Sequence, residues 1–211
     1  MLRGHLLACF IPVLVASVVA TLAGCKRDLG ECNLYGVSPD GTPISGPAAF
    51  DIAYRVPDGL PMYEGQALVQ STCGNGQLCH APAAVGAARV GVPAGLNFDV
   101  ALACTGEAQD PTCARPLQSC AGGQTDTYYC QRLQRLQSND DQIINWAEGM
   151  IQEIRAGTMP PGQAGRDAAA PQQWMRKSDG TVLPSIASSD GQEIVRNWLA
   201  CEAPVIARTE F

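Results

Sequence analysis

Residues 72–82 read TCGNGQLCHAP, and the reading of the whole chain turns on them. They hold Cys73, Cys79 and His80, and His5 is the chain's one other histidine. A histidine directly after a cysteine suits covalent attachment of a haem: the thiolate adds to a vinyl group while the adjacent imidazole ligates the iron from one face. Between the cysteines stand Gly74, Asn75, Gly76, Gln77 and Leu78. Glycine and asparagine accept positive φ at little steric cost, so a bulged loop can return Cys73 to the side occupied by Cys79 and His80. Two other arrangements are open to the same residues. One is a local Cys73 to Cys79 disulfide beside an ordinary, partly buried imidazole. The other is a zinc site, which needs three or four ligands and would have to draw on thiolates in an oxidising compartment.

The compartment is read from the start of the chain. Arg3 precedes an almost wholly apolar run over 6–20, followed by Leu22, Ala23, Gly24 and Cys25. This is the pattern of a secretory signal, and Leu-Ala-Gly-Cys resembles the lipobox of bacterial lipoproteins. The resemblance implies cleavage after residue 24 and acylation of Cys25. An uncleaved spanning helix is the alternative, but the run is short and ends at small residues. Lys26 after the cysteine implies sorting to the outer membrane in preference to the inner. Cleavage removes Arg3 from the 14 basic residues, leaving 13 against 20 acidic ones and a net charge of −7. Such acidity argues against nucleic acid as a partner.

Ten cysteines suit an oxidising compartment far better than the cytosol. Cys9 leaves with the signal and Cys25 takes lipid. With Cys73 and Cys79 assigned to haem, Cys32, Cys104, Cys113, Cys120, Cys130 and Cys201 remain, an even set for three disulfides, while four disulfides and no haem would be equally even. One from Cys201 is expected to tie down the last helix, and Cys32 to pin the N-terminal extension.

Periodicity marks three helices. The first is expected over 62–71, opened by Pro61 and leading straight into the Cys-His stretch. The second starts at Ser138 with Asn139, Asp140 and Asp141 as cap and first-turn acids, places Ile143, Ala147, Met150 and Ile154 on one face, and stops at Ala156-Gly157. The third has a capping box at Ser189-Asp190-Gly191-Gln192, with Ile194, Trp198 and Cys201 on one face. Between the last two, Ser178-Asp179-Gly180 reads as the turn of a small hairpin.

The Cys-His pair resembles the haem-binding motif of c-type cytochromes, although two residues ordinarily separate the cysteines there and five do here. The resemblance implies a mostly α, cytochrome-c-like helical domain over 63–204, with loop-rich, disulfide-stapled insertions at about 104–130 and 162–188. A signal over 1–24 and a tether over 25–62 precede it, and a tail over 205–211 follows. It implies one covalent haem c, with Cys73 and Cys79 as thioether donors and His80 as proximal ligand. Gly65 and Trp198 become candidates for the close packing of first helix on last. Pro93 becomes the carbonyl that accepts a hydrogen bond from the second ring nitrogen of His80. Gly95-Leu96-Asn97-Phe98-Asp99 resembles the Gly-Leu-x-x-Asp stretch of small bacterial relatives, with Leu96 and Phe98 as buried anchors. Met159, in Gly157-Thr158-Met159-Pro160, stands where such proteins carry the second axial ligand. Met150 reads as core, Met62 precedes the motif and Met175 lies in a polar stretch.

These readings imply a lipid-anchored, single-haem electron carrier on the periplasmic face of the cell envelope, serving a redox partner protein, and not an enzyme. The runner-up is a haem-free, disulfide-rich lipoprotein acting as a structural or binding module.

Overall fold

The apolar face at Ile143, Ala147, Met150 and Ile154 is buried as its spacing requires, and the rest of the fold is arranged against it. The computed structural model describes residues 29–56, 59–74, 80–81, 84–89, 91–93, 95–98, 100, 128–160 (side chains from 134 onward) and 174–206. Its elements in order are strands β1 (Ile52–Arg55) and β2 (Pro61–Tyr63), helix α1 (Glu64–Thr72), a 3-10 helix at Gly86–Arg89, helix α2 (Tyr128–Ala156), strand β3 (Trp174–Arg176) and helix α3 (Ser189–Ala200). Helix α3 packs on both α1 and α2.

The expectation of a mostly helical, cytochrome-c-like domain is overturned. Of the described residues 39% are helical and 11% strand, and the strands form an antiparallel sheet in the order β2-β1-β3. Residues assigned by sequence to a tether supply its central strand. Ala53 is buried opposite both Met62 of β2 and Arg176 of β3, which sets the register. Pro61 opens an edge strand, where its missing N–H leaves no ladder bond unmade, instead of opening a helix. Helix α1 therefore begins at Glu64. The hairpin expected around Ser178-Asp179-Gly180 is present: Arg176 N–H donates to Thr181 O at 2.7 Å and Leu183 N–H to Trp174 O at 3.0 Å. Its first strand is β3.

Helix α2 starts ten residues before the expected cap at Ser138 and runs through it. Leu136, seven residues before Ile143 on the same face, is buried, and that packing outweighs the local tendency of Ser138, Asn139 and Asp140 to start a helix. At α3 the cap lies one residue earlier than expected, with Ser188 Oγ accepting from Gly191 N–H at 3.1 Å. Ile194, Val195, Trp198 and Leu199 are buried.

Gly65 and Trp198 meet as the resemblance implied. A Cβ placed on Gly65 would lie 2.3 Å from Trp198 Cβ and 2.4 Å from Cγ, so only glycine lets α1 approach α3 this closely. Trp198 is fully buried, and its Nε1 donates to Pro204 O at 2.7 Å.

Both ends of the described residues are joined to this body. Cys32 and Cys201 form a disulfide, so Cys201 ties down the last helix and its partner is Cys32. Leu29 is buried and its carbonyl accepts from Arg196, while Asn33 N–H donates to Asn197 Oδ1 at 2.8 Å. The tail is docked at its start, since Val205 packs on the core and Ile206 N–H donates to Gln66 Oε1 at 2.9 Å. Cys104, Cys113 and Cys120 lie outside the described residues, as does the side chain of Cys130. Among the described residues no helix is long and apolar enough to cross a membrane, and 6–20 and Cys25 lie outside them.

Candidate functional site

Helix α1 delivers the first wall of the site. Val69 and Cys73 lie one turn apart near its end, and Cys73 N–H closes the helix onto Val69 O at 2.9 Å. The next residue, Gly74, serves a close approach. A Cβ there would lie 2.0 Å from Phe98 O, so the chain leaving α1 runs directly against the Phe98 backbone. Sequence reasoning valued Gly74 for positive φ, whereas its contribution is the absence of a side chain.

Two glutamines hold the segment that Phe98 belongs to. Gln66 Nε2 donates to Val100 O and Gln70 Oε1 accepts from Val100 N–H, both at 2.7 Å. Four residues apart on α1, they present their amides on one face and grip both polar groups of a single residue. Gln66 is fully buried, and its satisfied amide is the kind of group a core tolerates. This clamp was missed in the sequence, where the i, i+4 pair of glutamines just ahead of the Cys-His stretch was its only signal.

The segment so held fixes His80, which is 4% exposed. Phe98 stacks on the imidazole with centroids 4.0 Å apart and planes 19° apart, and Phe98 N–H donates to His80 O at 3.1 Å. His80 Nδ1 lies 3.2 Å from Leu96 O. Here the expectation for Pro93 is corrected: the Pro93 carbonyl accepts instead from Leu96 N–H at 3.2 Å, closing a tight turn that swings the Leu96 carbonyl toward the ring. Burial pushes the imidazole pKa down, the bond to Leu96 opposes that, and the charge of Arg89 adds to the lowering. His80 is thus held neutral, with a nitrogen lone pair to offer.

The far wall comes from α2 and the turn after it. Trp146, Gly149, Met150, Glu153 and Ile154 follow one face at helical spacing. The helix ends in a backbone cap at Gly157, φ 72°: Gly157 N–H donates to Ile154 O at 3.1 Å and Thr158 N–H to Glu153 O at 3.1 Å. Met159 N–H joins the same Glu153 carbonyl at 3.2 Å, and Thr158 Oγ1 bonds the Glu153 carboxylate as well. Met159 is therefore set by the end of α2, and its peptide bond to Pro160 is cis.

Between these walls lies a cavity of about 350 Å³. Cys73, His80, Pro93 and Met159, spread over three separate stretches of chain, all line it. Val69, Leu96, Phe98 and Ile154 make it apolar, and Trp146, 45% exposed, stands where it meets solvent. Of the competing methionines, Met150 also lines the cavity, whereas Met62 is buried in the sheet and Met175 lies in β3 opposite Tyr54. Cys79 lies outside the described residues. Among the described residues no group of three or more His, Cys, Asp or Glu side chains could hold a metal ion by itself.

No protein-family model, curated protein or solved structure matches the chain, so the site is read on its own chemistry.

Proposed function

We propose that the protein is a membrane-anchored carrier of single electrons built around one covalently held haem. The observation that carries the reading is the cavity, in which Cys73, His80 and Met159 come together although 86 positions separate the first from the last. The reading rests on the donors and the walls and needs no particular fold. The walls are largely apolar, and the volume falls within the roughly 300–1,000 Å³ of ordinary ligand pockets. A neutral imidazole and a thioether are the donor pair expected for an iron of high reduction potential.

Bound there, haem would supply one-electron redox chemistry. The chain's residues have separate tasks. Cys73 and Cys79 would hold the group through thioethers, and His80, fixed by Phe98 and Leu96, would offer Nε2. Met159, held by the main chain at the end of α2, offers its sulfur. With His80 and Met159 both committed to holding it, the group would have no position left for a substrate, which favours electron transfer over enzymatic turnover. Anchoring through acylated Cys25 would keep the carrier at the envelope, within reach of a redox partner protein.

The test is expression with a cytochrome c maturation system, followed by a denaturing gel stained for haem and a pyridine haemochrome spectrum. A stained band and an α-band are expected, and the α-band position reports whether one or two vinyl groups have become thioethers. Colourless, fully processed protein with a Cys73 to Cys79 disulfide in its peptide map would refute the proposal and favour a haem-free binding module.

A further inference from the structure

The Leu96 carbonyl has two donors. His80 Nδ1 lies 3.2 Å away, and Arg89 Nη2 donates to the same oxygen at 2.9 Å. Arg89 Nη1 reaches on to Asn97 Oδ1 at 2.9 Å, so the guanidinium grips two consecutive residues of the turn with its two arms. A carbonyl oxygen only accepts, so Nδ1 must carry the hydrogen and Nε2 is left with the lone pair. Among the described residues the main-chain bonds within the turn are Val92 N–H to Arg89 O and Leu96 N–H to Pro93 O, both at 3.2 Å, and Gly91 and Gly95 have φ of 83° and 82°.

We propose that Arg89 is a positioning residue for His80: its forked grip on Leu96 and Asn97 holds the acceptor that fixes the imidazole tautomer and points the Nε2 lone pair at the cavity. The fork is what matters, because two acceptors in fixed directions suit a planar guanidinium and not an ammonium. That Nε2 then serves a bound iron rests on the haem reading above, while the tautomer itself does not.

The experiment is a ¹⁵N-¹H spectrum of the imidazole in the haem-free full chain at about pH 8, where a histidine is neutral. His5 and His80 are the two histidines to assign. The wild type is expected to show His80 as the Nδ1–H tautomer. Arg89→Ala should shift the tautomer ratio toward Nε2–H by about fivefold, the effect of one lost hydrogen bond. Arg89→Lys should resemble Ala, and Asn97→Ala, which removes one arm's partner and leaves the other, should shift the ratio less in the same direction. A wild-type His80 in the Nε2–H form, a Lys variant that behaves as wild type, or an unchanged ratio in both Arg89→Ala and Asn97→Ala would each overturn the proposal. In haem-loaded protein, Arg89→Ala should change the midpoint potential with haem retained. Wild-type protein that takes up no haem but shows the Nδ1–H tautomer would sink the haem reading and leave Arg89's role intact.

Discussion

Replacing Gly65 with alanine adds one methyl group at the tightest contact between α1 and α3. Its carbon would sit 2.3 Å from Trp198 Cβ, well inside any real contact distance. Trp198 cannot turn away, because it is fully buried and its indole N–H is tied to Pro204 O. Alanine in a helix interior gains about 0.5–1 kcal/mol over glycine. Overpacking of a core costs about 1–3 kcal/mol and occasionally more. Overpacking should win, for a net loss of about 1–2 kcal/mol. In a chain of this size that lowers Tm by roughly 2–8 °C. The clash is with Cβ and Cγ, atoms that phenylalanine also has, so Trp198→Phe should not rescue the variant. The two substitutions should be close to additive in a double-mutant cycle followed by thermal and urea unfolding. A Gly65→Ala protein as stable as wild type, or rescued by Trp198→Phe, would refute the close-approach argument.

Breaking the Cys32 to Cys201 disulfide in a double serine variant should cost about 2–5 kcal/mol, since the bond spans 169 residues, and non-reducing peptide mapping of the wild type should recover this pair. Glu64, buried against Arg176 at 3.2 Å, has its carboxyl pushed up to about 7, chiefly by burial. A raised carboxyl binds its proton more tightly when folded, so its contribution is fully present below about 4.5 and is lost as pH rises through about 7. Urea midpoints should therefore fall over that window, and Glu64→Gln should flatten the fall; Asp140, also raised to about 7, leaves a remaining slope of the same sign. Met159→Ala should abolish the weak thioether-to-iron band in the oxidised spectrum and lower the potential, while Met175→Ala, in β3 and away from the cavity, should change neither.

Helices with wide apolar faces were legible: Ile143, Ala147, Met150 and Ile154, or Ile194 and Trp198, repeat often enough to betray their period. The hairpin was legible from its turn residues, and Gly65 facing Trp198 from a resemblance. The sheet was not. Its strands are three or four residues long, too short for alternation to register, and β1 pairs with β3 more than a hundred residues away. Ser138 misled because capping tendency is local, whereas the burial of Leu136 is tertiary. At the site, Cys73, His80 and Met159 could be singled out by residue type, but their supports could not. That Gln66 and Gln70 clamp Val100, or that Leu96 and not Pro93 faces the imidazole, depends on which polar groups the folded backbone brings within reach.

The main-chain cap at the end of α2 makes the length of that helix a ruler. Because Met159 hangs from the Glu153 carbonyl, its bearing is dictated by counting residues back to the face of Ile143 and Met150. One residue inserted or deleted between Met150 and Gly157 would swing the sulfur about 100° around the helix axis and slide it about 1.5 Å, turning it out of the cavity. Four inserted residues would nearly restore the bearing but carry the sulfur about 6 Å along the axis. Drift by insertion and deletion is thus closed to these six positions, while substitution at Glu153 would leave in place the main-chain bonds that hold Met159, since they are made by backbone atoms. A lineage could rewrite exposed Gln152, Arg155 and Ala156 and still could not change the length of the stretch.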